Sequence, residues 1–467
     1  MASQSPSFLG LSGRALHWAQ VALVGAPAFI VFGYNQAGVG PLATLQSWVK
    51  TFPQIDTINT TGSLEAHNST SKGAVIASFQ IGALIGALSC TLISDRLGRR
   101  KTIFLGSILT IIGEVLQVAS YGLVQFVIGR IILGMGVGQY SVAVPVWQSE
   151  CSSAKNRGQH VIIDGQRAEE ATHSLASLKG LPANDEAIRA EISGIESSLE
   201  LTAQSKGSLM EMFDPNDQER LFYRFCLCII LQFFQQMCGG NLISVYASTI
   251  FEQNLGLSAS LSKNLAACAL TWKFICCFIA FFTIDRLGRR VVFMISGTGM
   301  AICMIALAIT NSRGTDNKGA SIASVVFIFL FNLFYPIGFL GGNFLYCTEV
   351  APVRLRVAMS SISTANHWLW NFVVVMVTPI ALDTIGYQYY VMYAVLSACI
   401  PLLVYFFYPE TMNRNLELLN HVFRDASSPW KIVSMANHLP QGEVTEADLM
   451  EMNKKGDGCS VEMAEKV

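Results

Sequence analysis

The chain carries ten apolar stretches of about 20 residues, near 15–40, 74–94, 102–121, 124–147, 223–250, 264–284, 291–310, 321–347, 357–381 and 388–408. A helix rising about 1.5 Å per residue needs that length to cross a hydrocarbon core about 30 Å thick. Inside such a core every backbone N–H and C=O must find a partner within the structure, which restricts runs of this kind to helices. The expected class is an all-α integral membrane protein surrounded by the lipid bilayer. Composition agrees, with 13% of residues charged and 52% hydrophobic, where a soluble domain carries roughly a quarter charged. A net charge of −1 supplies no basic field, so nucleic acid as a partner and a peripheral role at an anionic surface are set aside.

Basic clusters set the orientation, because Lys and Arg accumulate in short cytoplasmic loops. Arg96, Arg99, Arg100 and Lys101 follow the second stretch, Arg286, Arg289 and Arg290 the sixth, and Arg354 and Arg356 the eighth. All fall inside if the N-terminus is inside, and both termini are then cytoplasmic. The polar segment 41–73 falls outside and holds two glycosylation sequons, at Asn59 and Asn68. Residues 1–14 lead into the first stretch without a small-residue cleavage site, so no removable signal is expected.

The chain also repeats itself. Asp95-Arg96-Leu97-Gly98-Arg99-Arg100 recurs as Asp285-Arg286-Leu287-Gly288-Arg289-Arg290, and the seven-residue step from Glu150 to Arg157 recurs from Glu349 to Arg356. Two homologous halves follow, but they are unequal. After Arg356 come two more apolar stretches; after Arg157 the chain runs through Gly158–Gly165 directly into the polar Gln166-Arg167-Ala168-Glu169-Glu170. The organisation read from this is a tail 1–14, a four-helix half 15–147, a cytoplasmic linker 148–222, a six-helix half 223–408 and a polar tail 409–467, its last part, 425–467, expected to be disordered. Helical spacing of Ala168, Ala171, Leu175 and Leu178, and then of Ile188, Ile192, Ile195 and Leu199, predicts short amphipathic helices in the linker.

An ordered set of motifs now carries a resemblance. It comprises Phe32-Gly33-Tyr34-Asn35-Gln36, the two Asp-Arg-Leu-Gly-Arg-Arg loops, Arg130, Gly134, Gly138, Pro145, Glu150 and Arg157, then Gln235-Gln236 with Gly239 and Asn241, then Glu349, Pro352 and Arg356, Asn371-Phe372, and Pro409-Glu410-Thr411. From about 15 to 424 the chain resembles a fungal-type sugar porter of the major facilitator superfamily. The resemblance implies a major-facilitator fold of twelve helices in two six-helix halves, here shortened to ten (4 + 6), with the fifth and sixth helices absent. The clean join at Gly165-Gln166, with family-like flanks, fits a skipped coding segment better than gradual decay.

The resemblance implies transport of a monosaccharide such as a hexose by alternating access, and no enzymatic activity. A sugar site needs amides, which donate and accept, and aromatic faces. Gln235, Gln236, Asn241 and Asn371 supply the amides, and Trp368 and Phe344 the faces; Phe344 stands where the family more often has Trp. The charged loops imply gating ion pairs among Asp95, Arg99, Arg100, Glu150, Arg157, Asp285, Arg289, Arg290, Glu349 and Arg356.

Asn35 stands where proton-coupled members usually have Asp and cannot titrate, which points to facilitated diffusion. The alternative is proton symport through Glu114, which lies at a depth similar to Arg130 and is placed to pair with it. A non-transporting sugar sensor is a further alternative. Lys273, in mid-span, requires a cavity or a carboxylate. The twelve cysteines lie mostly in apolar runs without metal-ligand spacing, and no nucleophile–base pair or phosphate loop is present, so no disulfide framework, metal, cofactor or catalytic residue is expected. The predicted location is the plasma membrane.

Overall fold

The computed structural model describes residues 13–152 and 209–438, apart from 38, 43–44, 58, 215–216, 218, 255, 314–316, 413 and 415, together with scattered positions between 172 and 189. Nine described helical stretches are long and apolar enough to cross a membrane. Residues 13–37 add another: α1 (Gly13–Gln20) and α2 (Ala26–Ala37) join through a π turn at Val21–Gly25. The first half continues with α3 (Ser63–Leu97), α4 (Arg99–Val118) and α5 (Leu123–Ser152). The second half holds α6 (Leu221–Met237), α7 (Gly240–Val245), α8 (Ala259–Leu287), α9 (Arg289–Asn311), α10 (Lys318–Phe339), α11 (Gly342–Val350), α12 (Arg356–Thr384) and α13 (Gln388–Phe407). Helices α6 and α7 form one span, as do α10 and α11, so among the described residues four spans precede the linker and six follow it.

The repeat read from the sequence is also a repeat of backbone geometry. Gly98 ends α3 at φ +79°, ψ 160°, and Gly288 ends α8 at φ +88°, ψ 156°. Both occupy a region closed to residues with a Cβ, so each Asp-Arg-Leu-Gly-Arg-Arg motif makes the same reversal between two helices.

Without a hydrophobic force between helices in lipid, close approach depends on small residues. A Cβ on Gly134 would lie 2.2 Å from the Phe79 carbonyl oxygen, and one on Gly138 2.1 Å from that of Ala83, so α3 and α5 meet backbone to backbone. Helix α12 closes the contact between halves: its Ala365 and Trp368 share a core with Phe79, Ala83, Leu133 and Val137. Helix α8, the repeat counterpart of α3, packs on α9, α10 and residues 247–254 of its own half. Only 12% of its apolar stretch is buried, against 56% for α3.

Three expectations change. The second span begins at Ser63, not near 74, and takes in part of the polar segment. Asn68 therefore lies within α3, 4% exposed, with its amide donating to the Asp56 carbonyl; a buried, hydrogen-bonded amide has no room for a glycan, whereas Asn59 is exposed. The tail is not disordered throughout: α14 (Leu416–Asp425) and α15 (Pro429–His438) fold back on the second half. Ile432 and Ala436 are buried, and Trp430 packs on Phe406 and Phe407. Of the amphipathic helices expected over 166–206 only scattered positions are described, among them Thr172, Ala176, Glu186, Ile188 and Arg189 in helical conformation with Ala176 and Ile188 buried, and Arg157 falls outside the described residues.

Candidate functional site

Both discontinuous spans break at the same place in the fold. Gly239 adopts φ +90° between α6 and α7, and Leu340-Gly341 separates α10 from α11. Broken helices free side chains near mid-membrane to converge, and such breaks mark binding sites in two-half transporters. Gln235 and Gln236 end α6, Asn241 begins α7, and Asn343 and Phe344 begin α11.

These residues form one polar cluster with α12. Gln235 donates to the Phe339 carbonyl at 2.8 Å, and Asn343 donates to Gln232 at 2.7 Å and to Gln235 at 2.5 Å. Asn241 donates to Gln236, and Gln36 of α2 donates to Asn241 at 2.9 Å, which ties the first half into the cluster. His367 stands at the centre: Nδ1 lies 2.5 Å from Gln235 Oε1, and Gln236 Nε2 lies 2.9 Å and 3.1 Å from the two ring nitrogens. Its ring packs against Phe344 (5.2 Å between centroids) and edge-on against Trp368 (5.1 Å). One turn along α12, Asn371 is fully buried and neither of its amide atoms has a hydrogen-bond partner. An amide left unpaired in the interior costs about 1–3 kcal/mol, a cost a hydroxylated ligand would remove.

All six sugar-site residues expected from the sequence are buried: Gln235, Gln236, Asn241, Asn371, Trp368 and Phe344. Trp368 donates its indole N–H to Ser141 of α5 at 3.1 Å and meets Phe32 and Phe79, so it joins the halves as well as lining the cluster. Sequence reasoning missed His367, Asn343, Gln232 and Gln36. The signal for His367 was available, since it precedes Trp368 directly and lies four residues, one helical turn, from Asn371.

At the end of the second half that carries its Asp-Arg-Leu-Gly-Arg-Arg loop, Arg289 pairs with Glu349 at 3.0 Å, and Glu349 accepts from the Thr411 hydroxyl at 2.6 Å. Glu410 accepts from the backbone N–H groups of Arg289 (2.9 Å) and Arg290 (3.0 Å), placing a carboxylate on the N-terminus of α9 where the helix dipole favours it. A Cβ on Gly288 would meet that carboxylate at 2.5 Å, a second reason for glycine there. Arg290 reaches the Tyr405 carbonyl and ring, and Arg356 is buried at the start of α12. In the first half Arg99 donates to the Ser94 carbonyl, and Arg100 is exposed. The side chains of Asp95, Glu150 and Asp285 lie outside the described residues.

The proposed Glu114–Arg130 pair does not form. Arg130 is buried against Phe79 and donates to the carbonyls of Ile76 (2.8 Å) and Asn35 (3.5 Å) of neighbouring helices, with its Nε left without a partner and Glu114 acting on it only at longer range. Asn35 is buried and donates to the Val31 carbonyl. Lys273 needs no carboxylate: it donates to Ser244 at 2.8 Å and lies 4.6 Å from the Tyr335 ring centre, a cation–π contact. A separate cavity of about 320 Å³ beside the end of the linker is lined by Glu211, Asp214, Asp217, Glu219, Arg354 and Arg424. Arg354 bridges Glu211 and Glu219 there, and without amides or aromatic faces the cavity does not suit a neutral sugar.

Two helical halves in a membrane, meeting around a buried amide and aromatic cluster built on broken helices, define a transporter of the alternating-access kind. The profile of the family described as "Sugar (and other) transporter" matches residues 18–166 and 162–423, and the chain belongs to this family. The Sugar transporter STL1 of Saccharomyces cerevisiae is 28% identical, with 95% of this chain and 87% of that protein covered. The MFS-type transporter oryC of Aspergillus oryzae is 30% identical over 91% of this chain and 88% of its own. Among solved structures, the proton:xylose symporter XylE bound to 6-bromo-6-deoxy-D-glucose aligns with a TM-score of 0.62 at 22% identity, covering 86% of this chain and 98% of that one; it shares the major-facilitator fold. The family match breaks at 162–166, around the Gly165-Gln166 join, and the alignment with the yeast protein runs over 509 residues, more than the 467 of this chain. It therefore opens gaps opposite residues that this chain lacks.

Proposed function

We propose that this protein is a sugar porter whose substrate is a monosaccharide, a hexose above all, bound between the halves by Gln235, Gln236, Asn241 and Asn371 with Trp368 and Phe344 as apolar faces. The observation that carries the reading is Asn371. A fully buried amide with two unpaired polar atoms, on the helix face that presents His367 and beside an aromatic pair, matches what a sugar hydroxyl requires and what lipid penalises. The mode is facilitated diffusion, since Asn35 carries no proton. The Arg289–Glu349 pair, linked through Thr411 and Glu410, serves as a cytoplasmic latch within the second half. The chain resides in the plasma membrane with both termini in the cytoplasm, and the 467-residue form, with four spans facing six, does not itself transport.

The test is ligand-induced thermal stabilisation of the purified chain by D-glucose. Asn371→Ala and Gln236→Ala should each weaken binding by about 1–3 kcal/mol, one unpaired hydroxyl apiece. Unchanged stabilisation in both variants would remove these residues from the site.

A further inference from the structure

We infer that the monosaccharide this site takes is a sugar acid, whose carboxylate is received by Lys273 of α8. The inference rests on the sugar-binding reading above and narrows its substrate class.

Lys273 stands near the middle of the apolar stretch Ser260–Ile284, too deep for a lipid headgroup phosphate to reach it. A charge at that depth is costly and is met by an opposite charge, by backbone carbonyls or by a water-filled cavity. Ser244 and the Tyr335 ring hold the ammonium in place, at 2.8 Å and at 4.6 Å from the ring centre, and the ring face favours the charged form. Neither contact cancels the charge. Of the three N–H groups of an ammonium, Ser244 takes one and the ring face another, which leaves one for a ligand. The titratable groups around Lys273 are the Cys277 and Cys238 thiols and the Tyr335 phenol, and among the described residues no carboxylate pairs with it.

The ammonium borders the amide cluster. Ser244 lies one turn after Asn241 on α7 and gives its own hydroxyl proton to the Gly240 carbonyl at 2.7 Å, so its lone pair is turned to Lys273. The Tyr335 ring lies against Gly240, where a Cβ would stand 2.3 Å from Cε2, and the phenol sits beside Gln235. Lys273 therefore reaches the break between α6 and α7, the same break that brings Gln236 and Asn241 together. Every other member of the cluster is an amide, an aromatic ring or the His367 imidazole, none of them an anion. A neutral hexose would meet the amides and leave the cation uncompensated. A hexuronate keeps the ring and its other hydroxyls and carries a carboxylate in place of the terminal hydroxymethyl group, which pairs with the ammonium.

The experiment uses the full 467-residue chain in lipid nanodiscs at about pH 6.5, where a sugar acid is ionised. Calorimetry compares D-glucuronate, D-glucuronamide and D-glucose; the amide has the shape of the acid without its charge. Wild type should bind D-glucuronate about tenfold or more tightly than either neutral sugar, the gain of a charge-assisted hydrogen bond. Lys273→Met, similar in length and uncharged, should bring the three Kd values within about threefold of one another, and Lys273→Arg should keep the preference for the acid. Equal Kd values for D-glucuronate and D-glucuronamide in wild type would overturn the inference and leave the sugar reading standing, and that comparison needs no variant to fold. A preference for the acid that survives Lys273→Met would also overturn it, since another group would then hold the carboxylate. Propionate, a carboxylate without hydroxyls, binding as tightly as D-glucuronate would overturn the sugar reading instead and leave Lys273 as a carboxylate site.

Discussion

Helices α3 and α8 occupy equivalent places in the internal repeat, end in the same motif and turn on glycines of nearly the same φ and ψ, yet their surroundings differ. Helix α3 is sandwiched between α5 of its own half and α12 of the other, with Phe79 fully buried beneath Trp368. Helix α8 packs within its own half and leaves Phe274, Phe278 and Phe282 more than half exposed. By the repeat, α12 is the helix that starts at the Arg356 end of the Glu349-to-Arg356 step, and the position matching it in the first half follows Arg157, where the sequence turns polar. The lesson is that a helix-forming motif fixes the helix and its turn, whereas its burial depends on a partner supplied from elsewhere in the chain.

The largest test of this comparison is transport itself. Expressed in cells without endogenous sugar carriers, the 467-residue chain should give no saturable uptake, and a chain with two apolar helices restored between Gly165 and Gln166 should give it. Saturable uptake by the shorter form would mean that the bare flank of α8 is harmless or covered by another chain. Next in size is a matched pair of truncations. Phe79→Ala should cost about 3–5 kcal/mol through the cavity it opens between halves, whereas Phe278→Ala, 55% exposed in the structure, should stay within about 0.5 kcal/mol. Chemical denaturation in mild detergent measures both, and equal costs would break the contrast.

The latch of the second half supplies a third comparison. Removing Arg289 leaves Glu349 enclosed without its cation, so Arg289→Ala should destabilise by about 3–5 kcal/mol, and the double variant with Glu349→Ala by less. Additive losses would show that the pair is not coupled. The smallest effect is expected where α15 meets the bundle: Trp430→Ala, which loses ring contacts with Phe406 and Phe407 on a side chain 57% exposed, should lower stability by about 1 kcal/mol and release α15 to protease. Unaltered cleavage would separate α15 from that contact.

Much of the fold was legible before any coordinates. Apolar length alone placed the spans, because lipid forbids unpaired backbone. The boundaries shifted where polar residues continue a helix beyond the membrane, as at Ser63, and where an apolar face as short as Ile432, Val433 and Ala436 folds a tail back onto the bundle. Gln235, Gln236, Asn241 and Asn371 were legible as amides in apolar runs that demand a partner, and their reading as sugar ligands came from the family resemblance. Their connection through His367 was not, since hydrogen bonds linking residues 36, 241, 236, 367 and 235 arise only when four separate elements converge.

By itself the sequence determined the class of protein, the two unequal halves, the paired glycine turns and the residue types of the buried amide cluster, which follow from periodicity, from repetition along the chain and from the motifs it shares with its family. Only the tertiary structure decided which groups meet. Arg130 takes backbone carbonyls instead of Glu114, Lys273 rests on Ser244 and Tyr335, Asn68 is buried, and Asn371 is left with both amide atoms unpaired. The physical reason is the reach of the interactions: helix formation and lipid exclusion act on neighbours in sequence, while a buried polar atom is satisfied by whatever lies within about 3 Å in space, and nothing along the chain encodes that distance directly.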